Sequence, residues 1–576
     1  MEFLAIYRCF LLSLLCLHSR GCMEEERNAL LQIKSSINSP EGNAFPNWYG
    51  EDCCQWECVI CNVSTTRVIF INIIRKRDPS LSEHWYPNAS LFAQFKDLKQ
   101  LVLPGNHIGG FTARHELNKL KQLQKLDLRD NSIRDGSQLC WGKLPSLYSL
   151  DLSNNKLRGN ISNCLCENLS STELLLSDNK LTGNIPACLG NMTSLEYLDL
   201  SNNEFKGSFP SVLIHNLTSI ESLILSRNQF KGRISLSIFA NLSTLRNLDI
   251  SYTTNLEVEP ESPSWFPSFS LIALKLGGCN LKRIPSFLSK QHHLRSLDLS
   301  YNSLEGNIPS WLLYNVTSEL WIRGNNLSGT FPETLHNISS QLLHSTSPTI
   351  SYMGNYLMIM NQLLTLDMSD NDFSGTFPIS LSKSMNLLIV DIQNNDLSGE
   401  LISDFPALPQ LRALLLGGGN RFEGPIPHQL CQMRHLRSLD LSGNNLSGKI
   451  PTCLDNITSC TEELEYPSYP EMEFRVNFEM VNWKGIFSYL RLLDISSNRL
   501  EGTIPIEMTH LISLRVLNIS NNLFTGEIPI SFANLTNLEA LDLSQNKFFG
   551  KLPSELTDLT QSLPLWPATF KELQYC

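Results

Sequence analysis

Leucines recur along this chain in the order LxxLxLxxN, as in LRSLDLSGNNLSGKIP (436–451) and LRLLDISSNRLEGTIP (490–505). The Asn of the pattern falls at Asn106, Asn131, Asn155, Asn179, Asn203, Asn228, Asn302, Asn325, Asn371, Asn395, Asn444, Asn498, Asn522 and Asn546, with neighbouring copies 23 to 25 residues apart. Thr253 and Cys279 fill the same slot in degenerate copies, and Gly419–Asn420 straddles it. A poor copy around 337–360 is expected to bridge the 46 residues from Asn325 to Asn371, which makes about eighteen coils. Within each coil, alternation over LxLxx predicts a short parallel strand with leucines turned inward and x residues on a concave surface. A buried Asn can donate to and accept from backbone at the sharp turn, so stacked copies predict a ladder. GxIP predicts a permissive turn followed by an extended X-Pro segment on the far side. No coil can bury its own leucines, so stability must come from stacked neighbours.

This pattern is the leucine-rich repeat, and LxGxIP in the second half of a 24-residue coil resembles the plant-specific class. The likeness extends to EEERNALLQIKSSI, NWYGEDCCQWECVICN and RVIFINI, which resemble the N-terminal cap of plant leucine-rich-repeat receptors. A helix burying Ala29, Leu30, Ile33 and Ile37 is expected over the first coil, with RVIFINI starting the sheet. The resemblance implies disulfides Cys22–Cys53 and Cys54–Cys61, leaving Cys58 as a departure. Cys58-Val-Ile-Cys61 also reads as CxxC, but redox chemistry needs a βαβ context and zinc needs two more ligands. The expected fold is an α/β solenoid: a leucine-rich-repeat superhelix with a disulfide-bonded cap and one non-repeat island. Its divisions are a signal peptide (1–21), the cap (22–75), repeats (76–456), the island (457–487), further repeats (488–560) and a divergent tail (561–576).

Composition adds the compartment. MEFLAIYR followed by CFLLSLLCL and HSRG reads as a secretory signal, and no later run is long and apolar enough to span a bilayer. Of sixteen cysteines, fourteen remain once Cys9 and Cys16 leave with that signal. Cys166 with Cys188, Cys431 with Cys453, and Cys140 with Cys164 are placed for staples between adjacent coils, the alternative being buried thiols. Cys279 reads as a core substitution. Sequons stand at Asn62, Asn88, Asn160, Asn168, Asn191, Asn216, Asn241, Asn315, Asn326, Asn337, Asn445, Asn456, Asn518 and Asn534, as expected of a glycoprotein. A formal charge of −11 without a basic stripe argues against nucleic acid.

No metalloprotease, hydrolase, phosphate-loop or kinase constellation occurs, and no cofactor or metal is expected. The aspartates of LDLS (Asp127, Asp151, Asp199, Asp298, Asp440, Asp542) form one row, expected to be a solvated turn-side position rather than a calcium or acid–base site. Ligand contacts are sought where coils leave the consensus. Tyr252, Lys275, Tyr301, Trp321 and Arg323 do so together at concave or near-concave positions, with residue types enriched in binding hot spots. Ordinary repeat drift is the competing reading.

Asn444 and Asn498 are 54 apart, one period plus about thirty residues. That island ends in EFRVNFEMVNWKG, and its position resembles the island of plant receptor-like proteins. The resemblance implies that Phe474, Arg475, Phe478, Trp483 and Lys484 contact partners. It also implies an extracellular peptide, protein or glycan ligand, a leucine-rich-repeat co-receptor kinase and an adaptor receptor kinase. Family members are single-pass plasma-membrane proteins with a C-terminal cap, an acidic segment and a membrane helix. Here SLPLWPATFKELQYC follows the repeats, so a soluble secreted role (a decoy or an enzyme inhibitor) or a truncated copy is the alternative expectation.

Overall fold

The computed structural model describes residues 22–38, 44–134, 144–167, 170–253, 255–259, 267–331, 363–378, 381, 384–401, 408–458, 473–476, 479–482 and 490–556. The expected signal (1–21), the tail (561–576), Cys140, Asn168, Asn337, Phe478, Trp483 and Lys484 lie outside them. The chain divides into two compact units, one up to Leu281 with Pro285–Phe287, the other Lys282–Ile284 with Leu288 onward.

In the first unit, helix α1 (Glu24–Ile37) lays Ala29, Leu30, Ile33 and Ile37 into the core, as the sequence predicts. Glu26, on the same face, is buried too; its Oε2 accepts from the Val68 N–H at 2.9 Å and its Oε1 lies 3.5 Å from Arg67. The helix is thereby tied to the first parallel strand, Val68–Asn72. Burial, more than any other influence, raises the Glu26 carboxyl above its ordinary value. Beneath the helix, Phe45 stacks on Trp48 at 3.9 Å and Trp48 on Trp56 at 5.5 Å. Both indole N–H groups are satisfied by backbone, Trp48 on Glu57 O and Trp56 on Tyr49 O. The disulfides Cys22–Cys53 and Cys54–Cys61 close the cap.

From Val68–Asn72, parallel strands follow in chain order, each pairing with the next, through Gln100–Val102 and Lys125–Asp127 to Ala273–Lys275. The second unit repeats the scheme from Ser296–Asp298 to Ala540–Asp542. In most strands a central leucine points to the interior; Leu126, Leu223, Leu366, Leu439 and Leu517 are all essentially inaccessible. Cys166–Cys188 and Cys431–Cys453 join adjacent coils, and Cys164 is also disulfide-bonded.

The Asn slot works as the sequence requires. Asn395 is buried; its Nδ2 donates to Met368 O (3.0 Å), Ile392 O (3.2 Å) and Gln393 O (3.0 Å), while its Oδ1 accepts from the Phe373 N–H (3.0 Å). Thr253 keeps one such bond, to Ile250 O, and Cys279 is a buried thiol facing the carbonyls of Ile250 and Gly277. Asn420 fills the slot with one residue more than the consensus, reaching Ile392 O and Leu416 O.

Two readings are corrected. The strands Glu319–Trp321 and Thr365–Asp367 pair directly, and Asn371 donates to Ile322 O while accepting from the Leu327 N–H. The 46-residue gap is therefore one period plus an insertion, with no coil at 337–360 between them. Residues 332–362 themselves lie outside the described residues. The far side is also more ordered than a turn and an extended segment. In the first unit Arg158–Gly159, Lys180–Gly183, Glu204–Ser208, Gln229–Ser235 and Leu256–Glu259 form a second parallel sheet, and nine strands from Glu305–Gly306 to Lys547–Phe548 do so in the second unit.

Candidate ligand-binding face

On the sheet face opposite the leucines, position decides chemistry. The Asp that ends the strand accepts, through Oδ1, from the backbone N–H two residues on: Asp151 from Ser153 (3.0 Å), Asp440 from Ser442 (2.8 Å), Asp494 from Ser496 (3.0 Å). This closes an Asx turn in coil after coil. The row is less solvated than its sequence suggests. Asp127, Asp151, Asp391, Asp440 and Asp494 are buried, and Asp199, Asp298 and Asp542 half-buried. In the second unit, strands Ile389–Asp391, Ala413–Leu415, Ser438–Asp440 and Leu492–Asp494 are buried at every residue. Burial, with Asp494 alongside, pushes Asp440 up to about 6, and burial with Asp367 alongside raises Asp391 well above its ordinary value. Gln393 Nε2 donates to Asp440 Oδ2 at 2.7 Å. The expected turn-side role holds, but packing removes Asp127, Asp151 and Asp440 from solvent and leaves Asp199, Asp298 and Asp542 half-buried. Among the described residues, no three His, Cys, Asp or Glu side chains are grouped to hold a metal ion.

The residue before the Asn slot takes positive φ in most coils: it is Asn or Asp at Asp130, Asn154, Asp178, Asn202, Asp370, Asn394 and Asn521, Gly in several others, and Arg227, Ser497 and Gln545 in three more. Tyr252 and Tyr301 occupy this slot at φ 52° and 53°, where a bulky side chain is disfavoured. Each ring lies over the glycine that fills the same slot one coil on. A Cβ on Gly278 would stand 3.2 Å from Tyr252, and one on Gly324 would stand 2.8 Å from Tyr301. Each ring also carries a cation: Arg227 is 5.6 Å from the Tyr252 centroid and Arg323 is 5.8 Å from that of Tyr301. Sequence reading selected the tyrosines by residue type but missed the backbone strain and Arg227.

Lys275 and Trp321 end their strands in the Asp position, half-buried. Arg323 is held by Asp370 at 2.8 Å. Burial pulls the guanidinium down, but Asp367 and Asp370 more than offset it, leaving Arg323 above its ordinary value. The structure thus gathers Tyr301, Trp321 and Arg323 in the second unit, while Tyr252 and Lys275 belong to the first. In the island, Glu473–Val476 pairs antiparallel with Glu479–Asn482, which places Phe474 and Arg475 on a hairpin strand. The solenoid does not register the insertion: Ser438–Asp440 pairs with Leu492–Asp494, and the Leu446 N–H donates to Asn498 Oδ1 at 2.9 Å.

Among the sequons, Asn88, Asn160, Asn191, Asn216, Asn241, Asn326 and Asn534 are exposed, and Asn62 and Asn445 half-buried. Asn456 lies in a 3-10 helix, Thr452–Thr458. Asn315 is buried with its Nδ2 donating to Leu288 O at 2.9 Å, which leaves no place for a glycan on that nitrogen in the folded chain. Asn518 spends its Nδ2 on Asp494 at 3.1 Å.

In-register parallel strands with consensus residues inside and variable ones outside define a leucine-rich-repeat solenoid. Family models agree: a Leucine rich repeat N-terminal domain matches residues 23–62, and Leucine rich repeat models match 96–157, 170–230, 488–548, 293–314, 362–384 and 435–457. The chain is a leucine-rich-repeat protein, and the curated proteins it resembles are plant receptor-like proteins. It is 34% identical over 154 residues to Receptor-like protein 13 of Arabidopsis thaliana, covering 26% of this chain and 14% of that one. It is 40% identical over 133 residues to Cuscuta receptor 1 of Solanum lycopersicum, covering 21% and 12%. The match therefore spans a small part of either relative's length. Among solved structures, the PEPR1–AtPEP1 complex superposes with TM-score 0.56 at 25% identity, over 94% of this chain and 78% of that one. The Arabidopsis receptor kinase HAESA, solved with the peptide hormone IDA and the co-receptor SERK1, gives 0.56 at 23% identity over 94% and 93%. That likeness is one of fold. Among the described residues no helix is long and apolar enough to cross a membrane.

Proposed function

We propose that this chain is an extracellular recognition protein of the plant receptor-like type, which binds a peptide, protein or microbial-pattern ligand and acts through partner receptor kinases in defence or development. It performs no catalytic step of its own. The observation that carries the reading is the pair of strained tyrosines, each under a cation, set among departures from the repeat. Strain of this kind persists where surrounding structure holds it and is common at ligand clamps. Disulfides in the cap and between coils support work outside the cytoplasm. Ligand contacts are assigned to Tyr252 and Lys275 in one unit, to Tyr301, Trp321 and Arg323 in the other, and to the island. Co-receptor pairing is proposed on the resemblance to receptor-like proteins.

The test is co-precipitation of the full chain, expressed in leaf tissue, with SERK1-type co-receptor ectodomains during a screen of apoplastic peptide fractions. Ligand-dependent association is expected for the wild type. Tyr301→Ala/Arg323→Ala should reduce it at least tenfold, and Trp483→Ala serves as the island comparator. Association with no co-receptor under any fraction, or full association by the double variant, would sink this reading.

A further inference from the structure

The second unit repeats arginine in one slot over four consecutive strands. Arg412, Arg437, Arg491 and Arg515 each follow the leucine that opens the LxxLxL segment. Backbone bonds make them immediate neighbours: the Arg437 N–H donates to Arg412 O at 2.7 Å, Arg491 to Arg437 O at 2.8 Å and Arg515 to Arg491 O at 2.8 Å. The island, inserted between the coils of Arg437 and Arg491, leaves the row intact. With strands about 4.8 Å apart, four side chains leave the backbone along roughly 15 Å. Arg412, Arg437 and Arg491 are half-buried; Arg515 is exposed and pairs with Glu539 at 3.1 Å.

Guanidinium groups crowded like this repel one another. Burial, together with Arg412 and Arg491, pushes Arg437 down to about 10, and burial with Arg515 alongside lowers Arg491. Burial, then Arg412 and Arg437, holds the nearby His435 imidazole below its ordinary value. Anions relieve such crowding, and the planar fork of arginine suits carboxylates, which it can grip with two parallel bonds.

We infer that the Arg412–Arg437–Arg491–Arg515 row is a binding edge for an acidic peptide segment, with carboxylates of the peptide pairing to neighbouring guanidiniums. The bounds of the row favour a peptide over a polyuronate. On one side the slot holds Leu388, whose carbonyl accepts from the Arg412 N–H; on the other it holds Glu539, which donates its N–H to Arg515 O. A polymer charged at every unit would meet hydrocarbon at one end and a carboxylate at the other. A short acidic run bordered by apolar residues meets neither conflict. The inference does not rest on kinase partnership, since such an edge serves any binding module.

The test uses the full chain and a dye-labelled, C-terminally amidated peptide Leu-Glu-Glu-Glu-Glu-Gly, followed by fluorescence anisotropy. Its glutamine counterpart is the neutral control, and tetragalacturonate is the competitor. Saturable binding is expected, weakening at least tenfold between about 50 and 300 mM salt and at least tenfold in Arg437→Gln/Arg491→Gln. Arg437→Lys/Arg491→Lys keeps the charge without the fork and should lose a few-fold. Circular dichroism and Tm verify that each variant folds. If the glutamine double variant does not, Arg515→Glu at the exposed end should weaken binding several-fold. The inference is overturned if the glutamine peptide binds equally well, if folded variants bind as the wild type does, or if the uronate competes better than unlabelled peptide.

Discussion

Asp440 shows how one residue can carry the cost of the repeat's regularity. It is fully buried, takes the Ser442 N–H and the Gln393 amide, and sits beside Asp494. Its carboxyl is raised to about 6 from the ordinary 3.8, so the folded chain binds this proton more tightly than the unfolded chain does. The sign follows: its stabilising contribution is complete below about 3.8 and is lost as pH rises through about 6. A shift of about two units corresponds to roughly 3 kcal/mol. Asp440→Asn removes the buried charge and keeps an acceptor for Ser442. Asn518 shows that an amide is accepted in this row, its Nδ2 reaching Asp494. The variant should therefore unfold at higher denaturant than wild type at pH 7.5, with roughly two-thirds of the advantage gone by pH 4.5. An advantage that does not change across that range would show that Asp440 titrates normally. Tyr252 and Tyr301 show the converse, a local strain that neither composition nor hydrophobic pattern betrays, because only a known φ exposes it.

At the scale of the coil, the Asn ladder is what turns a leucine pattern into a stack. Each Asn satisfies carbonyls of its own coil and of the preceding one, which are buried and beyond the reach of water. Asn395→Ala would orphan the N–H of Phe373 and leave the carbonyl of Met368 with one donor, Asn371, in place of two. A cost of about 2 kcal/mol is expected, within the range for one buried unsatisfied group. Equilibrium denaturation would measure it, and a loss below about 1 kcal/mol would mean that the ladder is dispensable there. Coil length, strand register and the size of the island were legible because leucine and asparagine positions are rigid requirements. The coil expected at 337–360 has no place between Glu319–Trp321 and Thr365–Asp367, which pair directly, since a gap near two periods can equally be one period plus an insertion. The second sheet escaped notice because most of its strands bury a single residue, as Leu181 in KLTG and Phe422 in RFEG. A single apolar position cannot announce alternation.

For the whole molecule, the sequence gives the frame of the recognition face more readily than its contents. Departures from LDLS pointed to Tyr301, Trp321 and Arg323, which the structure does gather. They said nothing of Arg227 over Tyr252, or of four arginines aligned by register, since each arginine alone looks like repeat drift. Burial along the second unit is also uneven in a way that repeats conceal. Strands from Ile389–Asp391 to Leu492–Asp494 are buried on both faces, whereas Ala540–Asp542 has no buried residue. Stacked repeats owe their stability to neighbour interfaces, so local opening should follow this gradient. Native-state hydrogen exchange read by mass spectrometry should find peptides across 413–415 and 438–440 exchanging at least a hundredfold more slowly than those across 540–542. Reducing Cys431–Cys453 should raise exchange in the two coils it joins before it affects Val516–Asn518. Uniform protection along the unit would mean that it opens as one cooperative block, and that the doubly buried strands confer no local advantage.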